Sequence, residues 1–260
     1  MSSGSEAVRF SVDGPVGRIT IDQEATRNAL SPEVIAGLDK AITAAAECSV
    51  VVVRGRGGTL SAGAELKFLR SVLDDPAAVR EYITSIGVTL DRLEAAPFVS
   101  VCVIDGYAVA GGCEIMLACD LAVVSETAQI GDRHLEYGLL PGAGGSVRLT
   151  HAVAPAIARR LLYTGEIVDG ATAAGFGLVS SAVPAAELDD AVEALVARLA
   201  RHAPDALRGM KRLHRKALAD EPAAAITAER ETLLAHLAGP TAREGLAAFA
   251  ERRAPRFGSL

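Results

Sequence analysis

Residues 98–114 read FVSVCVIDGYAVAGGCE, and this stretch decides the fold. Residues 98–104 are largely apolar and β-branched, which predicts a buried strand ending at the turn-forming pair Asp105-Gly106. A helix is predicted to begin near Gly111-Gly112, with Glu114 in its first turn. The first N–H groups of a helix have no acceptor within the helix, and a glycine lets a ligand approach them. The stretch therefore predicts an anion-binding turn, an oxyanion hole or a phosphate cradle, beside a carboxylate. The alternative is a glycine packing turn with a helix-end glutamate.

Composition restricts the class of protein. The chain has 260 residues, half of them apolar, and is long enough for one sizeable α/β domain. Its formal net charge of −6 without a basic stripe disfavours nucleic acid and membrane surfaces as partners. Residues 1–10 lack a signal-peptide pattern, and no stretch of about 18 residues is apolar throughout. We therefore expect a soluble, cytoplasmic protein. Four cysteines without CxxC spacing predict buried thiols and no metal site.

The pattern along the chain predicts an α/β body followed by a helical tail. Residues 8–21 alternate around Gly14-Pro15 as in a hairpin, and Ser31-Pro32 predicts a helix start. That helix is expected to run to about residue 47, and residues 55–63 are expected to form a glycine-rich loop. Further strands are predicted at residues 50–53, 121–124, 128–130 and 179–183. Further helices are predicted at residues 66–73, 76–93, 188–200, 204–219, 223–237 and 242–251.

Two other glycine-containing loops stand where they could share a site with the first. LSAGAEL, residues 60–66, precedes a predicted helix and offers a second set of N–H groups. LLPGAGGS, residues 139–146, opens a helix that contains Arg148. Because this segment lacks the Lys-Ser/Thr ending of a P-loop, nucleotide binding of that type is disfavoured.

Short motifs occur along the whole chain in a characteristic order. They are RNAL (27–30), SAGAEL (61–66), IDGYAVAGGCEIMLACD (104–120), AQIG (128–131), GLLPGAGGSVRL (138–149), YTG (163–165), AGFGLV (174–179) and AFAERR (248–253). Together they resemble the enoyl-CoA hydratase/isomerase (crotonase) family. The resemblance implies an α/β fold, a crotonase-like spiral of ββα units with a helical C-terminal trimerisation region. It implies a core over residues 1–200 with the CoA and acyl site, an oligomerisation region over residues 201–260, and a homotrimer or a hexamer built as a dimer of trimers.

The resemblance also implies the ligand and the binding residues. The substrate is an acyl-CoA thioester, and no separate cofactor is expected because CoA is part of the substrate. The backbone N–H groups of Ala64 and Gly111 would form the oxyanion hole. The implied CoA and substrate contacts, of which the last two would reach a neighbouring subunit, are Arg27, Ala29, Ala62, Leu66, Lys67, Gly142, Phe249 and Arg252.

The catalytic acids depart from the family pattern. Family hydratases with two glutamates carry the first where Glu114 stands, but the position of the second is occupied by His134. Asp132 and Glu136 flank this histidine and are less favoured substitutes. The predicted activity is that of a hydro-lyase, the reversible syn addition of water to a trans-2-enoyl-CoA, with Glu114 acting on water and His134 donating a proton. An acyl-CoA-binding homologue with weak or no hydratase activity, an isomerase, a decarboxylase and a thioester hydrolase remain alternatives.

Overall fold

The structure is a computed structural model and describes residues 7–257. Its strands are β1 (Val8–Asp13), β2 (Val16–Ile21), β3 (Val50–Gly55), β4 (Thr59–Ser61), β5 (Val99–Ile104), β6 (Tyr107–Val109), β7 (Leu121–Ser125), β8 (Gln129–Gly131), β9 (Val168–Asp169) and β10 (Ser181–Val183). Its α-helices are α1 (Pro32–Ala44), α2 (Leu66–Ser71), α3 (Pro76–Ala95), α4 (Gly111–Ala118), α5 (Gly145–Ala152), α6 (Pro155–Thr164), α7 (Gly170–Gly175), α8 (Leu188–Ala200), α9 (Pro204–Ala219), α10 (Pro222–Leu237) and α11 (Pro240–Ala250).

The strands form two sheets between which the chain alternates. The larger sheet has the order β1-β2-β3-β5-β7-β10 and is parallel except for the β1–β2 hairpin. The smaller sheet has the order β4-β6-β8-β9. After β3, β5 and β7 the chain enters the smaller sheet as β4, β6 and β8, and each pair is followed by helices. This alternation agrees with the predicted spiral of ββα units.

The inner strands of the larger sheet, β3, β5 and β7, are buried on both faces, which explains their nearly continuous apolar sequences. In β3, Val51 and Val53 belong to the core that also contains α1, α3 and α4, whereas Val50 and Val52 pack with α8. Side chains alternate between the faces of a strand, so each face needs its own covering layer. Strand β5, the last strand of the larger sheet before α4, is buried at every residue.

Most predicted elements are confirmed. The helix start at Ser31-Pro32 is present, and the Ser31 side chain accepts a hydrogen bond from the Val34 N–H. Helices α8 and α9 have the predicted bounds. The first helix, however, ends at Ala44 rather than near residue 47. Strand β10 begins at Ser181, later than expected.

Three short strands contradict the sequence-based expectations. Strand β4 lies inside the segment predicted as a loop, β6 lies in the turn predicted before α4, and β9 lies where no strand was predicted. Strands of two or three residues are too short to show a periodic pattern. They form because each pairs with a neighbour in the smaller sheet, β4 with β6, β6 also with β8, and β9 with β8.

The C-terminal part is helical, as predicted, and α9 is fastened to the larger sheet by a buried ammonium group. Lys211 Nζ donates to the Phe98 carbonyl at 2.9 Å and to Asp120 Oδ2 at 2.7 Å. The same carboxylate accepts the Ser100 N–H at 2.7 Å. This network joins α9 to β5 and to the end of α4. Within residues 7–257, no helix combines the length and the hydropathy that crossing a bilayer requires.

Three of the four thiols are buried, as expected. All four cysteines are free; Cys48, Cys102 and Cys113 are buried, and Cys119 is half-buried.

We predict that Lys211→Met lowers the free energy of unfolding by about 3 kcal/mol, because it leaves the Asp120 carboxylate and the Phe98 carbonyl without their partner. Urea denaturation followed by circular dichroism measures the change. The matched control is Lys216→Met on the same helix, whose ion pair with Asp220 is exposed. This control should change stability by less than about 0.5 kcal/mol. Equal effects of the two substitutions would contradict the assignment of Lys211 as an anchor.

Candidate active site

The first turn of α4 begins immediately after β6 and is backbone-strained. Ala110, the residue before the helix, has φ 50° and ψ −119°, a conformation that L-residues rarely adopt. Such strain costs on the order of 1–3 kcal/mol and persists where the surroundings impose it. Here the Ala110 N–H donates to the Gly131 carbonyl of β8 at 3.0 Å. The Gly111 N–H, at the first helical position, has no acceptor among the described residues.

The loop after β4 approaches this turn closely. The Gly63 N–H donates to Ser61 Oγ at 3.1 Å, and the Gly63 carbonyl accepts the Leu30 N–H at 2.8 Å. A Cβ on Gly63 would lie 2.9 Å from the Gly111 nitrogen, so no side chain fits there. The next residue, Ala64, pairs with Leu30 in an isolated parallel bridge. Its own N–H has no acceptor among the described residues.

The two loops border a cavity of about 340 Å³. Most of the predicted site residues lie together in its wall, namely Arg27, Ala62, Ala64, Leu66, Gly111, Glu114, His134 and Gly142. Four predicted contacts lie outside this wall. Ala29 is buried beside Leu30, Lys67 is exposed on α2, and Phe249 and Arg252 are exposed near the C-terminal end of the described chain. Their contact with CoA stays a prediction.

The rest of the cavity wall is mainly apolar. The side chains come from α2, α3 and the segment before α5. They include Leu69, Ile83, Ile86, Tyr137, Leu139 and Leu140. A larger surface groove of about 1180 Å³ lies between α5 and α9, but none of the predicted site residues lines it.

The Glu114 carboxylate is buried and held by the glycine-rich turn. Its Oε1 accepts the Ala143 N–H at 2.8 Å and the Gly145 N–H at 2.9 Å. The side chain is therefore oriented by backbone donors from a distant loop, while the residue also lines the cavity. The PGAGG segment thus serves to position a carboxylate. Among the described residues of the cavity wall, Glu114 is the one acidic side chain.

The imidazole of His134 is hydrogen-bonded to a buried carboxylate. Its Nδ1 is 3.0 Å from Asp132 Oδ1, and its backbone N–H donates to the same oxygen at 3.3 Å. Burial acts to lower the pKa of His134, but the hydrogen bond and charge of Asp132, with the charge of Glu114, raise it above its ordinary value. Because Asp132 engages Nδ1, the other ring nitrogen, Nε2, is left for a ligand.

Asp132 and Glu136, the less favoured alternatives to His134, engage other side chains. Asp132 is buried and bonded to His134, and Glu136 pairs with Arg133. Neither lines the cavity. The sequence signal for the first pairing was the Asp-x-His spacing, which lets a carboxylate reach the imidazole two residues later. The donors at Ala143 and Gly145 had no such signal, because backbone N–H groups leave no trace in the residue type.

Comparison with known proteins agrees with this geometry. Residues 12–259 match the family model described as enoyl-CoA hydratase/isomerase. A probable enoyl-CoA hydratase of Mycobacterium bovis is 31% identical over 255 residues, covering 97% of this chain and 98% of the relative.

Solved structures extend the likeness to the fold. The crystal structure of enoyl-CoA hydratase from Bacillus anthracis superposes with a TM-score of 0.92 at 27% identity, covering 96% of this chain and 98% of that one. A putative enoyl-CoA hydratase from Thermobifida fusca in complex with acetoacetyl-CoA has a TM-score of 0.83 at 31% identity and covers 90% and 95%. The chain, with its two alternating sheets and helical C-terminal region, therefore belongs to the enoyl-CoA hydratase/isomerase, or crotonase, family.

Proposed function

We propose that the protein is an enoyl-CoA hydratase, which adds water reversibly to a trans-2-enoyl-CoA to form a 3-hydroxyacyl-CoA. One observation carries the proposal. A single cavity is lined by Ala64 and Gly111, whose backbone N–H groups have no acceptor within residues 7–257, by an oriented carboxylate and by an imidazole. Hydration of a conjugated thioester needs these groups together, because charge moves onto the thioester oxygen while water is deprotonated.

The thioester oxygen would accept hydrogen bonds from the N–H groups of Ala64 and Gly111. When water adds to C3, the electron pair of the C2–C3 double bond moves toward this oxygen, and an enolate forms. Donors that are already in place stabilise the enolate more than the neutral thioester. In comparable sites each donor is worth about 3–4 kcal/mol of transition-state stabilisation.

Glu114 and His134 would handle the two protons. Glu114 accepts a proton from the attacking water, and its unengaged Oε2 is the atom available for this step. The imidazolium of His134 then delivers a proton from Nε2 to C2 as the enolate collapses. Asp132 stabilises the charged ring in between, as the raised pKa of His134 indicates. The hydroxyl group at C3 and the proton at C2 would then add to the same face of the double bond, which is a syn addition.

The CoA part of the substrate would be held by residues at the mouth of the cavity and by a neighbouring subunit. Arg27, Ala62, Leu66 and Gly142 border the cavity. Ala29 and Lys67 lie next to these positions along the chain. Phe249, which is 85% exposed, and Arg252 are the residues that a trimer or hexamer would bring to the CoA of an adjacent subunit. We propose no cofactor besides the CoA of the substrate and a cytoplasmic location.

The direct test is incubation of the purified protein with crotonyl-CoA and with longer trans-2-enoyl-CoAs. Hydration removes the conjugated thioester, so ultraviolet absorbance follows it continuously. Product analysis for the 3-hydroxyacyl-CoA excludes isomerisation and thioester hydrolysis. Saturable binding of acyl-CoA without turnover at any chain length would contradict the proposal and favour an acyl-CoA-binding homologue.

We predict that Glu114→Gln lowers kcat by a factor of about 10²–10⁴, because the amide cannot accept a proton from water. The amide oxygen can still accept the N–H groups of Ala143 and Gly145, so KM should change by less than about threefold. Steady-state kinetics with crotonyl-CoA measure both constants. The control is Glu187→Gln, an exposed glutamate at the start of α8. Retention of full activity in Glu114→Gln would rule out Glu114 as the base.

A second prediction concerns pH. Hydration needs the imidazolium form of His134, so kcat/KM for hydration should fall as pH rises through its raised pKa. Asp132→Asn removes the nearby charge, lowers the pKa of His134, and should move this alkaline limb about one pH unit toward acid. The pH profile of kcat/KM between pH 5 and pH 10 tests it, in roughly half-unit steps. Asp74→Asn, on the exposed turn before α3, is the control. An unmoved limb, or full activity in His134→Ala, would exclude His134 as the acid.

A further inference from the structure

Tyr82 on α3 places a phenol hydroxyl deep in the protein. The residue is only 4% exposed, and its ring packs edge-to-face on Phe68 with centroids 4.8 Å apart. Burial is the main cause that raises the pKa of Tyr82 to about 12, so the hydroxyl keeps its proton. A phenylalanine would fill the same space without a polar group to satisfy. The hydroxyl therefore needs an explanation beyond packing.

The Tyr82 hydroxyl is inserted into the bridge between Leu30 and the loop after β4. It donates to the Leu30 carbonyl at 2.6 Å and accepts the Glu65 N–H at 2.8 Å. In a regular parallel bridge the Glu65 N–H would bond the Leu30 carbonyl directly. On the other side of Ala64, the Gly63 carbonyl accepts the Leu30 N–H directly at 2.8 Å. The Leu30 N–H thus bonds the loop directly, whereas the Leu30 carbonyl is linked to the loop through the Tyr82 hydroxyl.

This arrangement determines where Ala64 points its own N–H. In a parallel bridge the residues before and after the central one bond the partner strand, while the central residue directs its N–H and C=O away from it. Ala64 is that central residue, and it lines the cavity. Without the hydroxyl, Glu65 N–H and Leu30 C=O would stay unpaired in the interior or move together to pair directly. Either change shifts the Ala64 peptide.

We propose that Tyr82 is a positioning residue of the oxyanion hole, which sets the direction of the Ala64 N–H through the bridge to Leu30. This inference rests on the proposed function, since it assumes that the Ala64 N–H binds a thioester oxygen. The same helix supplies Ile83 and Ile86 to the cavity wall. Helix α3 therefore carries both a wall of the acyl pocket and the hydroxyl that holds the hole.

The test is Tyr82→Phe, which removes the hydroxyl and keeps the ring. A donor displaced by a fraction of an ångström weakens binding of the enolate more than binding of the neutral thioester. We expect kcat for crotonyl-CoA hydration to fall about 10–100-fold with KM within about threefold of the parent. The melting temperature should fall by only a few degrees, because two hydrogen bonds are lost while the packing of the ring is kept. The control is Tyr163→Phe, whose side chain is 72% exposed on α6.

Acetoacetyl-CoA gives a second readout that needs no turnover. Its enolate absorbs in the near ultraviolet, and an oxyanion hole favours the enolate of the bound molecule. We expect the pH at which bound acetoacetyl-CoA ionises to rise by about one unit in Tyr82→Phe, equivalent to a tenfold loss of enolate stabilisation. A role in packing alone would lower the melting temperature and leave this pH unchanged, which would overturn the proposal. An unchanged kcat would do the same.

The two proposals fail separately. If the parent protein hydrates no enoyl-CoA, the proposed hydratase function is wrong, whereas the ionisation of bound acetoacetyl-CoA still tests Tyr82. If the parent protein hydrates crotonyl-CoA and Tyr82→Phe matches it in kcat and in the enolate titration, only the assignment of Tyr82 is wrong.

Discussion

The site depends on one backbone-to-backbone contact, between residues 61–64 and the first turn of α4. A Cβ on Gly112 would lie 2.1 Å from the Ser61 carbonyl oxygen, and a Cβ on Gly111 would lie 3.0 Å from Gly63 Cα. Atoms do not approach so closely, so only glycine allows the end of β4 to rest on the start of α4. Because the chain alternates between two sheets, this contact joins successive ββα units. Ala64 and Gly111, whose N–H groups would form the proposed oxyanion hole, line one cavity as a result.

Helix α3 supports the loops on both sides of that cavity. Near its N-terminal half, the Tyr82 hydroxyl holds the loop after β4. Near its C-terminal end, Asp91 and Glu94 pair with Arg148, whose guanidinium also donates to the Ala143 carbonyl at 2.6 Å. The N–H of that same Ala143 bonds the Glu114 carboxylate. Catalytic groups need supporting contacts of this kind, because small displacements cost large factors in rate. One long helix thus supports both the loop after β4 and the glycine-rich turn that binds Glu114.

The site differs electrostatically from a pair of glutamates. Glu114 is the one acidic side chain among the described residues of the cavity wall, and Asp132 stands behind His134 rather than in the cavity. A buried carboxylate behind an imidazole fixes which nitrogen faces the ligand and favours the protonated ring. His134 stands where family hydratases carry a second glutamate, and the carboxylate of Asp132 beside it favours the protonated imidazole. The proposed reaction depends on this pairing.

Local sequence determined the long elements and the family. The four valines that begin β3, the apolar run of β5 and the alternation of apolar and polar residues in α8 and α9 repeat over a few positions, so these patterns are visible in short windows. The order of glycine motifs likewise predicted that Ala64, Gly111, Glu114 and His134 share a site, and all four line one cavity.

Only the tertiary structure decided the short strands β4, β6 and β9, the donors to Glu114 and the bridge through Tyr82. These features consist of hydrogen bonds between residues far apart in the chain, 29 positions for Ala143 with Glu114 and 52 for Tyr82 with Leu30. Such bonds form where folding brings backbone groups within about 3 Å, and the identity of a residue does not reveal where its backbone will lie.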